Sequence, residues 1–112
     1  MKVMTIDLEE WFQVFNYYYA IAYNDWEKTE SRIESSTDRL LDLLDQYNAK
    51  ATFFVLGWIA REHPKLIKKI SDRGHEIACH GFAHKPITLM TVDEFEEDID
   101  KAVNYIKKAC GV

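Results

Sequence analysis

Two histidines four residues apart, His80 and His84, and three acids near the N-terminus, Asp7, Glu9 and Glu10, have the types and spacing that suit metal chemistry. Imidazole nitrogens and carboxylate oxygens are ligands that zinc and other first-row metals accept, and two histidines with one carboxylate leave a coordination position open for water. A helix would put both histidines on one face, but Gly81 and Pro86 favour a loop after a strand. Asp7 and Glu9 lie two apart, so on a strand they point to one side and Glu10 to the other. One of the pair could bind a metal while the other acts as base. Taken singly, an H-x-x-x-H spacing also fits surface or core histidines. The acids also fit a solvated cluster or a charge complement at a helix N-terminus. His75-Glu76 ahead of His80 misses the helical H-E-x-x-H pattern by one residue and lies in a strand-like run, so His75 reads as structural. His63, between Glu62 and Pro64, reads as a solvated residue at a helix start.

These side chains need elements to bring them together. Residues 2–7 alternate and include Val3, Thr5 and Ile6, which predicts a short strand ending where the acids begin. The segment from Trp11 to Trp26 is crowded with aromatic residues without a clean period and fits either a helix or an irregular excursion. Core packing is the expected use of most of these rings. From Ser31 to Tyr47, Ile33, Leu40, Leu41, Leu44 and Tyr47 follow helical spacing. Ala51–Leu56 is an apolar run of strand length that suits a parallel strand buried on both faces. Gly57 then turns the chain into a short helical piece carrying Trp58 and Ile59. Pro64 opens a helix that buries Leu66, Ile67 and Ile70 and stops at Gly74. His75–Cys79 reads as a third buried strand that delivers His80. Thr91-Val92-Asp93-Glu94 reads as a capping box, with Met90 and Phe95 as its hydrophobic staple. The helix that follows carries Phe95, Ile99, Ala102, Val103 and Ile106 and ends before Gly111. Strand, helix, strand, helix, strand, helix predicts an α/β fold with parallel strands and right-handed crossovers.

A chain of 112 residues with 47% hydrophobic and 29% charged residues fits one globular domain or part of a larger one. Its net charge of -5 argues against a nucleic-acid partner, since such proteins usually carry a basic face. The N-terminus reaches Asp7 without the apolar region of a signal peptide, and no apolar stretch is long enough to span a membrane, so a cytoplasmic protein is expected. Cys79 and Cys110 then read as free thiols rather than a disulfide.

Four segments in this order resemble successive motifs of the polysaccharide deacetylase family, carbohydrate esterase family 4, also described as the NodB-homology domain. They are Thr5–Phe12, Ala51–Gly57, Gly74–His80 and His80–His84. Their nearest resemblance is to the branch associated with bacterial exopolysaccharide export. The resemblance spans residues 1–112 and implies the N-terminal part of a distorted (β/α) barrel. It also implies a metal-dependent hydrolase that removes N- or O-linked acetyl groups from an acetylated polysaccharide or oligosaccharide, with a divalent metal that is commonly zinc. Asp7 matches the family's catalytic base, and His80 and His84 match its two metal-binding histidines. The third ligand, usually an aspartate, corresponds best to Glu9, with Glu10 as the fallback. Gly81 stands where the family commonly has Ser or Thr, which removes one hydrogen bond from the loop. The family's later motifs, including a histidine general acid, have no counterpart here, and no histidine follows His84. The resemblance therefore implies a portion of a longer enzyme, or a chain completed by another copy through its open sheet edges. The competing reading is a non-catalytic sugar- or metal-binding module of the same fold; a different metal hydrolase explains fewer of the matching segments.

Overall fold

The computed structural model describes residues 1–14 and 20–111. Three short strands, β1 (Thr5–Leu8), β2 (Thr52–Val55) and β3 (Glu76–Cys79), form one parallel sheet in the order β1-β2-β3. Parallel neighbours need long crossovers. Helix α1 (Ile33–Gln46) lies between β1 and β2 in the chain, and α2 (Gly57–Glu62) with α3 (Pro64–Asp72) lies between β2 and β3. Helix α4 (Val92–Cys110) follows β3 and packs on α2 and α3. The expected α/β architecture is therefore present.

In-register pairing sets Leu8, Val55 and Cys79 side by side, one step along from Asp7, Phe54 and Ala78. Alternation gives the sheet two unlike faces. Leu8, Phe53 and Val55 join the helices' buried residues, among them Ile33, Leu41, Leu44, Leu66, Ile67, Ile70, Ala102 and Ile106, in a single core. The opposite face carries Thr5, Asp7, Thr52 and Glu76, and the Thr52 hydroxyl donates to the Glu76 carboxylate at 2.6 Å. The expectation of strands buried on both faces is thus corrected. Thr52 and Phe54 are half-buried, and Glu76 is exposed, because every helix here serves one face.

Local chemistry sets the helix ends. Thr91 caps α4 by accepting from the Glu94 N–H, as the capping box predicted, and Pro64 opens α3. Helix α1 starts at Ile33 rather than Ser31, and Tyr47, expected on its apolar stripe, is its exposed C-cap. Phe95 is likewise 37% exposed, and the buried stripe of α4 comes down to Ala102 and Ile106. In the aromatic stretch, Phe12 and Trp26 are buried and meet Trp58 edge to face, so they serve the core. A 3-10 helix spans Tyr23–Lys28, while residues 15–19 of that stretch lie outside the described ones. Both cysteines are free.

Candidate metal centre

Strand β1 ends at Leu8 and β3 at Cys79, and alternation aims Asp7, Glu9 and His80 toward the sheet face away from the helices. The segment after β3 is pinned at several backbone positions. The His80 N–H donates to the Val55 carbonyl at 2.9 Å. The first N–H groups of α2, on Gly57 and Trp58, donate to the Gly81 and Phe82 carbonyls at 2.8 and 2.9 Å. Helix-start N–H groups have no partner within their own helix, and here the loop supplies it. Gly57 permits the approach, since a Cβ there would stand 2.6 Å from both the Phe82 ring and the Ala102 backbone. The loop turns through left-handed backbone at Gly81 (φ 76°) and again at His84 (φ 59°), which swings His84 back toward His80. The two imidazoles stand 5.1 Å apart, edge to face.

Glu9, His80 and His84 come together with one ligand atom from each within 4.8 Å of the others. His84 Nε2 approaches Glu9 Oε2 to 3.4 Å. A tetrahedral zinc with bonds of about 2.1 Å holds its ligand atoms about 3.4 Å apart. Glu9 Oε2, His80 Nε2 and His84 Nδ1 are all buried without a hydrogen-bond partner among the described residues. Buried polar atoms are ordinarily satisfied. Two imidazoles and a carboxylate that converge in this way, with buried atoms left unsatisfied on each, are a donor set that suits a divalent cation, so the residues fit the group. Asp7 sits just outside this trio, with Oδ2 3.9 Å from His80 Nε2 and its side chain 59% exposed.

Glu10 is placed elsewhere and is not part of this cluster. It is 1% exposed, and its carboxylate accepts from the Ser31 hydroxyl and from the backbone N–H groups of Arg32 (3.1 Å) and Ile33 (3.4 Å). It is the charge complement at the α1 N-terminus, the alternative open for this acidic cluster. Gln13 holds the turn between them, its side-chain oxygen accepting from the Glu10 N–H at 2.7 Å. His75 is structural, as expected: it is buried, and its Nδ1 accepts from the Ala51 N–H at 3.2 Å. Burial lowers its pKa below the ordinary histidine value, and the nearby Lys50 charge adds to the effect. His63 is not solvated as expected. Its side chain is only 17% exposed and pairs with Glu34 of α1 at 3.1 Å.

A cleft of about 420 Å³ opens beside the histidines, lined in part by Lys85, Ile87, Met90, Phe95 and Ile99. Phe95 faces this cleft, which accounts for its exposure. A carboxylate that the motifs did not single out, Asp98, reaches the loop from α4 and accepts from the Phe82 N–H at 3.0 Å. No sequence signal marks it, because its partner is a backbone amide. Among the described residues no helix is long and apolar enough to cross a membrane.

Over 75 residues, covering 67% of this chain and 28% of the relative, the sequence is 36% identical to a peptidoglycan-N-acetylmuramic acid deacetylase of Bacillus subtilis. Over 105 residues, covering 90% of this chain and 38% of the relative, it is 30% identical to a peptidoglycan-N-acetylglucosamine deacetylase of Bacillus cereus. The chain therefore spans about a third of the length of these curated relatives. Both are named for peptidoglycan rather than for exopolysaccharide export. A family 4 acetyl xylan esterase from Clostridium thermocellum, solved with a cobalt ion, superposes with a TM-score of 0.71 at 25% identity, covering 98% of this chain and 43% of the other. The family model for polysaccharide deacetylases matches residues 15–112, a range that begins beyond Asp7 and Glu9. With the sheet, the histidine loop and these likenesses in agreement, the chain belongs to the polysaccharide deacetylase family.

Proposed function

We propose that this chain contributes the metal-binding half of a deacetylase centre that hydrolyses acetyl groups, N- or O-linked, on a polysaccharide. The observation that carries the reading is the convergence of Glu9, His80 and His84, with one ligand atom of each within 4.8 Å of the others, beside the exposed carboxylate of Asp7. Glu9, His80 and His84 would hold a divalent cation, with zinc the best fit to two imidazoles and one carboxylate. When bound, such an ion supplies Lewis-acid activation of water and of the acetyl carbonyl. Asp7, anchored on β1 and open to solvent, takes the proton from the attacking water at its carboxylate. Its position next to His80, outside the trio, keeps it available as a base. The cleft beside the histidines admits the sugar chain, with Met90 and Phe95 offering apolar surface. The names of these relatives favour an N-acetylated amino sugar polymer as the substrate class.

The test is zinc content and affinity of the purified chain against His80→Ala and His84→Ala, with turnover of an acetylated chitooligosaccharide followed on the same samples. One equivalent of zinc, lost in both variants, is expected. Turnover that depends on this zinc completes the reading. Zinc without turnover means that this chain is either a truncated part of the centre, completed by residues outside it, or a non-catalytic module, and absence of specific zinc uptake by folded protein overturns the site.

A further inference from the structure

We propose that Asp98 is a positioning residue for the histidine loop, locking the peptide plane between Gly81 and Phe82 and so setting the relative placement of His80 and His84. The inference deepens the metal-centre reading and rests on it. That single peptide has both of its polar groups fixed, each by a different element. Its carbonyl, on Gly81, accepts from the Gly57 N–H at the start of α2 at 2.8 Å. Its N–H, on Phe82, donates to Asp98 Oδ2 on α4 at 3.0 Å.

The peptide needs two anchors because of the residue before it. Glycine is comfortable on either side of φ = 0, so a peptide following glycine rotates more freely than one following any other residue. Gly81 lies at φ 76°, and rotation of the plane after it would redirect the chain between the two imidazoles. Asp98 closes off that freedom from the side opposite α2. Its carboxylate also occupies the space a side chain at position 81 would enter, since a Cβ built on Gly81 lies 3.1 Å from Asp98 Oδ2. The glycine and the aspartate are therefore complementary: the loop carries no side-chain hydroxyl at this position, and the acceptor comes from the neighbouring helix instead.

Asp98 has no ion-pair partner among the described residues, although Lys101 lies one turn further along α4. Lys101 instead places its ammonium 3.9 Å from the centre of the Phe82 ring. The residue at the middle of the loop is thus held by α4 twice, through its amide by Asp98 and through its ring by Lys101. Charge-assisted hydrogen bonds to backbone N–H groups are among the stronger ones.

The experiment compares wild type, Asp98→Ala and Asp98→Asn in the same chain by three readouts. These are amide hydrogen exchange at Phe82 and the imidazole nitrogen resonances of His80 and His84, both in metal-free protein, and zinc affinity by chelator competition. Asp98→Ala is expected to expose the Phe82 amide, to shift both imidazole spectra, and to weaken zinc binding by about tenfold or more, the scale of losing an outer-shell support. Asp98→Asn keeps an oxygen acceptor and is expected to preserve all three. A folded Asp98→Ala protein with an exposed Phe82 amide but unchanged imidazole spectra and zinc affinity overturns the proposal, leaving Asp98 a loop anchor only. If wild type takes up no zinc, the metal-centre reading fails by itself, and the metal-free imidazole spectra still decide whether Asp98 positions the histidines.

Discussion

Glu9 and Glu10 are adjacent and chemically alike, yet the fold gives them opposite duties. Glu10 is sealed against the N-terminus of α1 with Ser31, Arg32 and Ile33 as donors, whereas Glu9 keeps a buried oxygen unpaired beside His84. Glu10→Ala leaves buried donors without their acceptor and is expected to lower the unfolding free energy by about 1–3 kcal/mol in urea, with zinc affinity unchanged. Glu9→Gln is expected to do the reverse, abolishing zinc uptake with little effect on the metal-free protein. His75 supplies a pH effect at the same scale. Its pKa is lowered in the folded state, first by burial and then by Lys50, and its Nδ1 accepts a hydrogen bond that a protonated ring cannot. The unfolded chain takes up a proton near pH 6.5 that the folded chain resists, so this contribution is constant above that value and declines as pH falls below it. Urea midpoints measured between about pH 7.5 and about pH 5 are expected to fall on the acid side, and His75→Asn to flatten the slope by up to about 1.4 kcal/mol per pH unit. The residue types at the candidate site were legible because imidazole and carboxylate suit a metal, although each spacing also fitted a solvated or structural role. Which glutamate served which purpose was legible only as a direction, through strand alternation; the partners of Glu10 lie 21 to 23 positions away in the chain.

Among the elements, α2 is the one whose brevity matters most. It is six residues long, uncapped by any side chain, and its opening N–H groups are spent on the histidine loop. Its first residue, Gly57, also sits against α4 at a distance no Cβ tolerates. Gly57→Ala is expected to destabilise by about 1–3 kcal/mol, as overpacking of a tight contact does, and to weaken zinc binding because the displaced parts carry Phe82 and the loop. Calorimetry of the metal-free protein together with zinc titration checks both effects. The elements themselves were largely legible: four helices and three strands follow from periodicity, Pro64, the capping box and the short β-rich runs. The departures share one cause, which is that periodicity gives an apolar stripe but not what covers it. Thr37 is buried in α1 although polar, Tyr47 is left outside, and Phe95 faces a cleft rather than the core. Asp98 was illegible for a related reason: an aspartate on an acidic helix looks solvated until the backbone it meets is known.

At the scale of the whole molecule, the sheet packs Leu8, Phe53 and Val55 into the core on one side and carries Asp7, Thr52 and Glu76, with Phe54 and Ala78 among them, on the other, where the Glu9–His80–His84 cluster lies at the strand ends. That division is what a barrel wall requires, with one face packed and one face turned inward. The outer strands β1 and β3 are both edges among the described residues. The trio also straddles the sheet, Glu9 following one edge strand and His80 and His84 the other, with β2 between them. This placement says something about time. No carboxylate from the first edge meets an imidazole from the second until the middle strand has been laid between them, and closing so long a span of chain is the slow part of building parallel sheets. Were Glu9, His80 and His84 to hold a cation, they would be gathered only once all three strands are in register. Cation binding by this cluster would therefore follow the pairing of the three strands rather than nucleate it, and would report on their register.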